Sequence, residues 1–240
     1  GQVPPYLIGN LAHTQRVLGQ FEAALEGLVQ MRAALVQGGG DPRQETYALA
    51  GQAQVLLRLG REAPAQAVLA EAQALVHGLG ESLYASSPTQ TSLLMAEAQL
   101  HLAGQRWGQA QAVLDRVIAA TGEAALRNSL PVLAHLARAE ATLHLQGPVA
   151  ALAQAQLALE MALQMQHGLP HTSLVGQAWL ALGRLHQQAG RHVPASAAYA
   201  HAMQHLVPTV GAGHDQALQA LRALQVLQAQ HALHALRDLR

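Results

Sequence analysis

The chain has 240 residues, half of them hydrophobic by count, which is enough to bury a sizeable core and excludes disorder as the main state. Fourteen basic and fourteen acidic residues balance to zero net charge with no dense basic stretch, which argues against direct nucleic-acid contact through counterion release. Cys is absent, which excludes disulfides and thiolate metal sites, and no run of about 18 apolar residues offers a membrane span.

The apolar content is mostly Ala and Leu, with only 3% aromatics and few β-branched residues. Ala and Leu lose little freedom in a helix, whereas strands favour Val, Ile, Thr and aromatics, so the composition predicts helix throughout. All the basic residues are Arg and none is Lys, which reads as the signature of a GC-rich genome. The start Gly1-Gln2-Val3-Pro4-Pro5 has no secretory signal, and the chain stops at Arg240 in a helical pattern. The expectation is a domain cut from a longer cytoplasmic protein.

Taken in order, the elements recur. A first helix ends at Gly19, and a second, Ala-rich one begins at Phe21-Glu22-Ala23-Ala24-Leu25. The breaker Gly38-Gly39-Gly40-Asp41-Pro42 leads to a helix ending at Gly60, and its partner runs to Gly78-Leu79-Gly80. Ser86 and Ser87 stand in a loop before Pro88. The stretch Ala96-Glu97-Ala98-Gln99-Leu100-His101-Leu102-Ala103-Gly104 then returns 43 residues later as Ala139-Glu140-Ala141-Thr142-Leu143-His144-Leu145-Gln146-Gly147. After Gly168-Leu169-Pro170 a fifth unit turns at Gly190 and enters Pro194-Ala195-Ser196-Ala197-Ala198-Tyr199. The turn glycines Gly19, Gly60, Gly104, Gly147 and Gly190 are spaced 41, 44, 43 and 43 residues apart. Gly tolerates the left-handed conformation that helix ends require, and recurring Ala lets paired helices approach closely.

From about Asp215 to Arg240 Leu recurs every third residue, at Leu218, Leu221, Leu224 and Leu227, then Leu233, Leu236 and Leu239. That spacing drifts about 60° per step on a helix, so the Leu band winds and no coiled-coil seam is sustained. A capping helix is expected, with a contact of its second half to another domain or to a second copy, as a homodimer, as the alternative.

The fifth unit resembles a tetratricopeptide repeat in Trp179, Leu182, Gly183, His186, Gly190, Ala195, Tyr199, Ala202 and a closing Pro208, with His186 where the family has an aromatic. The other units keep the small residue on the first helix (Ala12, Ala53, Ala98, Ala141) and on the second (Ala24, Ala65, Ala110, Ala153) but lack the Trp. Their spacing exceeds the usual repeat of about 34 residues. In that they resemble the sensor domains of bacterial maltose-activator-type transcription regulators. The resemblance implies an all-α fold, a right-handed α-α superhelix of about five helix-turn-helix repeats with a C-terminal capping helix. A single repeat cannot bury its own apolar face. Residues 1–210 are therefore expected to form one solenoid, with 211–240 a capping or connecting helix of the same domain.

No catalytic constellation appears: Gly-x-Ser-x-Gly is missing, and only four Asp occur, none paired at an acid/base spacing. The pairs His201/His205, His167/His171 and His231/His234 have metal-compatible spacing but no accompanying carboxylate or Cys cluster. They read as solvated helix faces and a loop flank, without metal or cofactor. Collectively the 14 His could make binding pH-sensitive.

The resemblance places the binding surface on the concave face of the first helices. Mapped onto this chain, that face holds Tyr6, His13 and Arg16, then Tyr47, Gln54 and Arg58, then Ser92, Met95 and Gln99. His135, Arg138 and Thr142 follow, and then Gln177, Arg184 and Gln188. Arg forks pair bidentately with carboxylates, so an acidic peptide or a C-terminal carboxylate is the expected ligand, against the alternative of ordinary solvated Arg. The expected role is a protein- or peptide-binding regulatory module of a bacterial signalling or transcription protein. A stand-alone adaptor and a small-molecule sensor are the alternatives.

Overall fold

The computed structural model describes residues 3–79, 88–121 and 128–238, with eleven helices and no strand among them. Gly80, Ser86 and Ser87 lie outside the described residues, as do the side chains of Leu233, His234, Leu236 and Leu239. The chain divides into two compact units, Gly1–Gly122 and Glu123–Arg240.

In the first unit α1 (Pro5–Val17) pairs with α2 (Phe21–Gln37), α3 (Pro42–Arg58) with α4 (Glu62–Leu79), and α5 (Pro88–Ala103) with α6 (Trp107–Thr121). Across hairpins, α2 packs on α3 and α3 on α5. Pro42 supplies a ready-made φ at the first turn of α3, and the Asp41 carboxylate accepts the Arg43 N–H at 2.9 Å. In the second unit α7 (Leu130–Gln146) pairs with α8 (Pro148–Gln164), and α9 (Ser173–Gln188) with α10 (His192–Val210). The last helix, α11 (Asp215–Asp238), lies against α10.

The turn between paired helices is one device used four times. The residue after the helix sits in the left-handed region at Gly19, Gly60 and Gly190. The next N–H then returns to a carbonyl five residues back: Gln20 to Gln15, Arg61 to Leu56 and Arg191 to His186, at 2.8–2.9 Å. In the third hairpin the same closure runs from Arg106 to His101, and its left-handed residue is Gln105 (φ 55°), not Gly104. Gly104 has another use, because the Arg106 guanidinium folds back over it. The fourth hairpin dispenses with the device. Gly147 (φ 90°) both ends α7 and precedes α8. The shorter turn moves the buried small residue of α8 to Ala151, and Ala153, where the sequence placed it, is exposed.

Small residues set the helix crossings. Ala12, Ala24, Ala53, Ala65, Ala98, Ala110 and Ala141 are all buried. A Cβ added to Gly27 of α2 would stand 3.0 Å from the Ala12 Cβ, and one on Gly183 would stand 2.6 Å from the Tyr199 ring. Tyr199 is fully buried and donates its hydroxyl to Gln187 Oε1 at 2.7 Å. It shares a core with Leu180, Ala202 and Leu206 and with Ala217, Ala220 and Leu227 of α11, which caps the last hairpin. Leu221 stands exposed, as the winding Leu band requires. Pro208 does not close α10, which runs on to Val210 and stops at Gly211 (φ 92°).

Two substitutions report on these features by urea unfolding. Gly183→Ala drives a methyl into the Tyr199 ring and costs about 1–3 kcal/mol. Gln105→Gly relieves the one side chain held at a left-handed hairpin turn and gains about 1 kcal/mol.

Candidate interaction surface

On the first unit, α1, α3 and α5 are joined by a polar chain with steps of 38 residues. Arg16 Nη1 donates to Gln54 Oε1 at 2.9 Å, and Gln54 Nε2 donates to the Ser92 carbonyl at 3.3 Å. Arg16 Nη2 lies 3.1 Å from His13 Nδ1. Three sequence-derived site residues, Arg16, His13 and Gln54, therefore meet at one guanidinium, and Gln54 links them to Ser92. Burial holds the Arg16 pKa below its ordinary value, Tyr47 opposes that and Arg58 adds to it, yet an Arg side chain stays charged. Arg58 is exposed, with its guanidinium 5.2 Å from the centre of the Phe21 ring.

Neither Arg16 nor Arg58 has an ion-pair partner among the described residues, because the nearby acids are spent elsewhere. Arg32 binds Glu45 and Glu71, Arg61 binds Glu22, and Arg106 approaches Glu62 at 4.0 Å. Each of these ties neighbouring hairpins together. Asp41 is taken by Arg43, whose guanidinium holds its carboxyl below the usual range.

His13, the neighbour of Arg16, also lines a cleft of about 550 Å³ with Tyr6, Asn10, Gln44, Tyr47, Thr89 and the Asp41–Arg43 pair. Tyr6 is 62% exposed and Tyr47 41%, so two aromatic faces stand open to a visitor. They are 41 residues apart, the interval between Gly19 and Gly60. The same interval, applied to aromatics, makes this pair legible in the sequence as one surface. Asn10, Gln44 and Thr89 were not, since nothing in their spacing marks them.

Not every expected residue faces outward. Gln54, Ser92 and Gln99 are half-buried, but Met95 is buried in the packing of α5. On the second unit, His135 is turned inward with its Nδ1 2.9 Å from Gln154 Oε1, and Thr142 is buried with no partner for its hydroxyl among the described residues. The residues that α7 opens toward α9 are Leu136, Glu140, Leu143 and His144. They share a cleft of about 160 Å³ with Arg184 and Gln188, both exposed. Arg138 and Gln177 are half-buried.

Of the paired histidines, His167, His171, His201 and His231 are exposed and His205 is half-buried. His201 stacks on Trp179 at 4.7 Å, and His205 meets His171 edge-on at 5.4 Å while its Nδ1 accepts the Thr172 N–H at 3.4 Å. Among the described residues no three His, Asp or Glu side chains converge as a metal site.

Burial, reinforced by Arg16, keeps the His13 pKa below its ordinary value. Burial acts with Arg106 on His101, with Arg191 on His186, and with His171 and His201 on His205, always downward. A His with a depressed native pKa binds fewer protons folded than unfolded, so its stabilisation is present above about pH 6.5 and is lost on acidification through the native values. The melting temperature is therefore expected to fall between about pH 7.5 and pH 5.5, and His205→Gln to shrink that fall, as calorimetry would record.

No family model matches the chain, and no curated protein does. Solved structures do. BtubC (BKLC) from P. vanneervenii is 13% identical, with 91% of this chain and 84% of that one covered at a TM-score of 0.63. A Signal Transduction ATPase with Numerous Domains from Pyrococcus horikoshii, carrying a tetratricopeptide repeat sensor, is 16% identical at a TM-score of 0.64. That match covers 93% of this chain and 32% of the ATPase. A thermophilic tetratricopeptide protein from Thermus thermophilus is 23% identical over 92% of this chain and 99% of its own, with a TM-score of 0.62. The chain has the tetratricopeptide-repeat fold.

Proposed function

We propose that this chain is a protein- or peptide-binding module whose recognition surface is the α1–α3–α5 face of its first unit. The observation that carries the reading is Arg16: a half-buried cation with no carboxylate partner among the described residues, held in place by Gln54 and by His13, which lines a cleft with the exposed Tyr6 and Tyr47. A guanidinium already desolvated and oriented gives up little on meeting an anion, and offers it a two-pronged hydrogen bond. Tyr6 and Tyr47 supply rigid, amphipathic contact area at low entropic cost. The ligand is an extended or helical segment bearing a carboxylate, either an acidic side chain or a free C-terminus. The fold is that of repeat proteins used for interaction, and no step of chemistry is assigned to it.

The wider role is that of a regulatory or sensor module in a larger cytoplasmic signalling or transcription protein of a bacterium. Two things support this: the resemblance of the long repeats to maltose-activator-type sensors, and the fold likeness to the repeat sensor of the Pyrococcus ATPase.

Calorimetric titration with a panel of Glu- and Asp-rich peptides and their Gln and Asn counterparts tests the reading. Acidic peptides should bind, Arg16→Ala and Tyr47→Ala should each weaken them about tenfold or more, and added salt should weaken them further. Equal affinity for acidic and neutral peptides, or full affinity in Arg16→Ala, would remove Arg16 from the account.

A further inference from the structure

The cleft between α7 and α9 holds two opposite charges that do not pair. Glu140 and His144 line it from α7, one helical turn apart, and Arg184 and Gln188 line it from α9, again one turn apart. All four are exposed. Among the described residues Glu140 and Arg184 have neither an ion pair nor a hydrogen bond, and Gln188 has no side-chain hydrogen bond. On the first unit the first helices are bridged by the chain's own side chains, from Arg16 through Gln54 to Ser92. The acid and base of the second unit share a cleft and leave it open.

The rest of the lining is apolar. Ala139 and Leu185 belong to the core of this unit, Leu136 and Leu143 pack against that core, and Ala181 is buried. Sites for drug-sized ligands run to about 300–1,000 Å³, so a cleft of about 160 Å³ takes a smaller molecule. Its occupant must satisfy an anion and a cation at once while offering an apolar body.

We propose that this cleft binds one free α-amino acid with an aliphatic or thioether side chain. The Arg184 fork donates two hydrogen bonds to the α-carboxylate, and the Glu140 carboxylate accepts one from the α-ammonium. The side chain rests on Leu136, Leu143 and Leu185. Charge complementarity selects the zwitterion, because a simple anion would meet Glu140 and a simple cation would meet Arg184. A peptide carries its ammonium and its carboxylate at opposite ends, and cannot bring both into so small a space. The bound molecule ties α7 to α9, so occupancy stabilises the folded unit by mass action. This site is separate from the acidic-ligand surface of the first unit, and either can fail without the other.

Isothermal titration of the whole chain with L-leucine, L-isoleucine and L-methionine reads the site. At least one of them should bind saturably, one molecule per chain, and raise the melting temperature. Isocaproic acid and isoamylamine each keep one of leucine's charges, and N-acetyl-leucine amide keeps neither. All three should bind at least about tenfold more weakly. Arg184→Gln and Glu140→Gln, folded by circular dichroism, should each weaken the amino acid about tenfold or more. Arg222→Gln, an equal loss of charge at an exposed position of α11, should not. Absence of saturable binding by all three amino acids overturns the proposal, as does full affinity in the Arg184 and Glu140 variants. Equal binding of the one-charge analogues or of the blocked amide overturns it too, since the cleft would then hold an apolar side chain alone.

Discussion

The closeness of paired helices at small side chains is the constraint on which the rest depends. Where Ala12 faces Gly27, or Gly183 faces Tyr199, there is no room for another methyl. That approach fixes which side of each first helix is spent on its own partner, and so which sides remain for the next hairpin and for a ligand. The large residues around the crossings, Leu28, Leu69 and Tyr199 among them, fill the space the small ones leave. With Tyr199 and Trp179 in the core of the last hairpin and aromatics only 3% of the chain, the packing relies on Ala and Leu in high proportion.

Electrostatics follows from the same arrangement. Acids on α2, α3 and α4 are used by Arg32, Arg61 and Arg106 to tie hairpin to hairpin. Exposed pairs of this kind contribute little stability one by one. Their consequence is local: they leave Arg16 and Arg58 as cations without counterions, on a face where Gln54 spends both ends of its amide spanning α1 to α5.

Much of the fold could be read from residues alone because the helix crossings impose a period on composition. Ala12, Ala53, Ala98 and Ala141 recur for the same steric reason and are all buried, and Trp179, Gly183 and Tyr199 carry the repeat signature of the last hairpin. The misreadings have local physical causes. Gln105 takes a left-handed turn that glycine fills elsewhere, so a rule keyed on Gly selected its neighbour Gly104. The one-residue turn at Gly147 shifts the register of α8, which exposes Ala153 and buries Ala151. On α7, His135 finds Gln154 on α8, while Glu140 and His144 take the open side. The Arg16–Gln54–Ser92 chain was not legible as a set of bonds, although all three residues had been placed on one face. Side-chain reach across a 38-residue step leaves no trace in spacing.

The most direct test of the central constraint exploits the absence of cysteine. In an Ala12→Cys/Gly27→Cys variant the two Cβ atoms would start 3.0 Å apart and need only a slight relaxation to reach the roughly 3.5–4.5 Å of a disulfide. Thiol titration and mass measurement after mild oxidation should find the α1–α2 bridge closed in a monomer with undiminished helicity. A folded variant that keeps two free thiols would show that these helices do not cross at their small residues, and the assignment of every remaining face would fall with it.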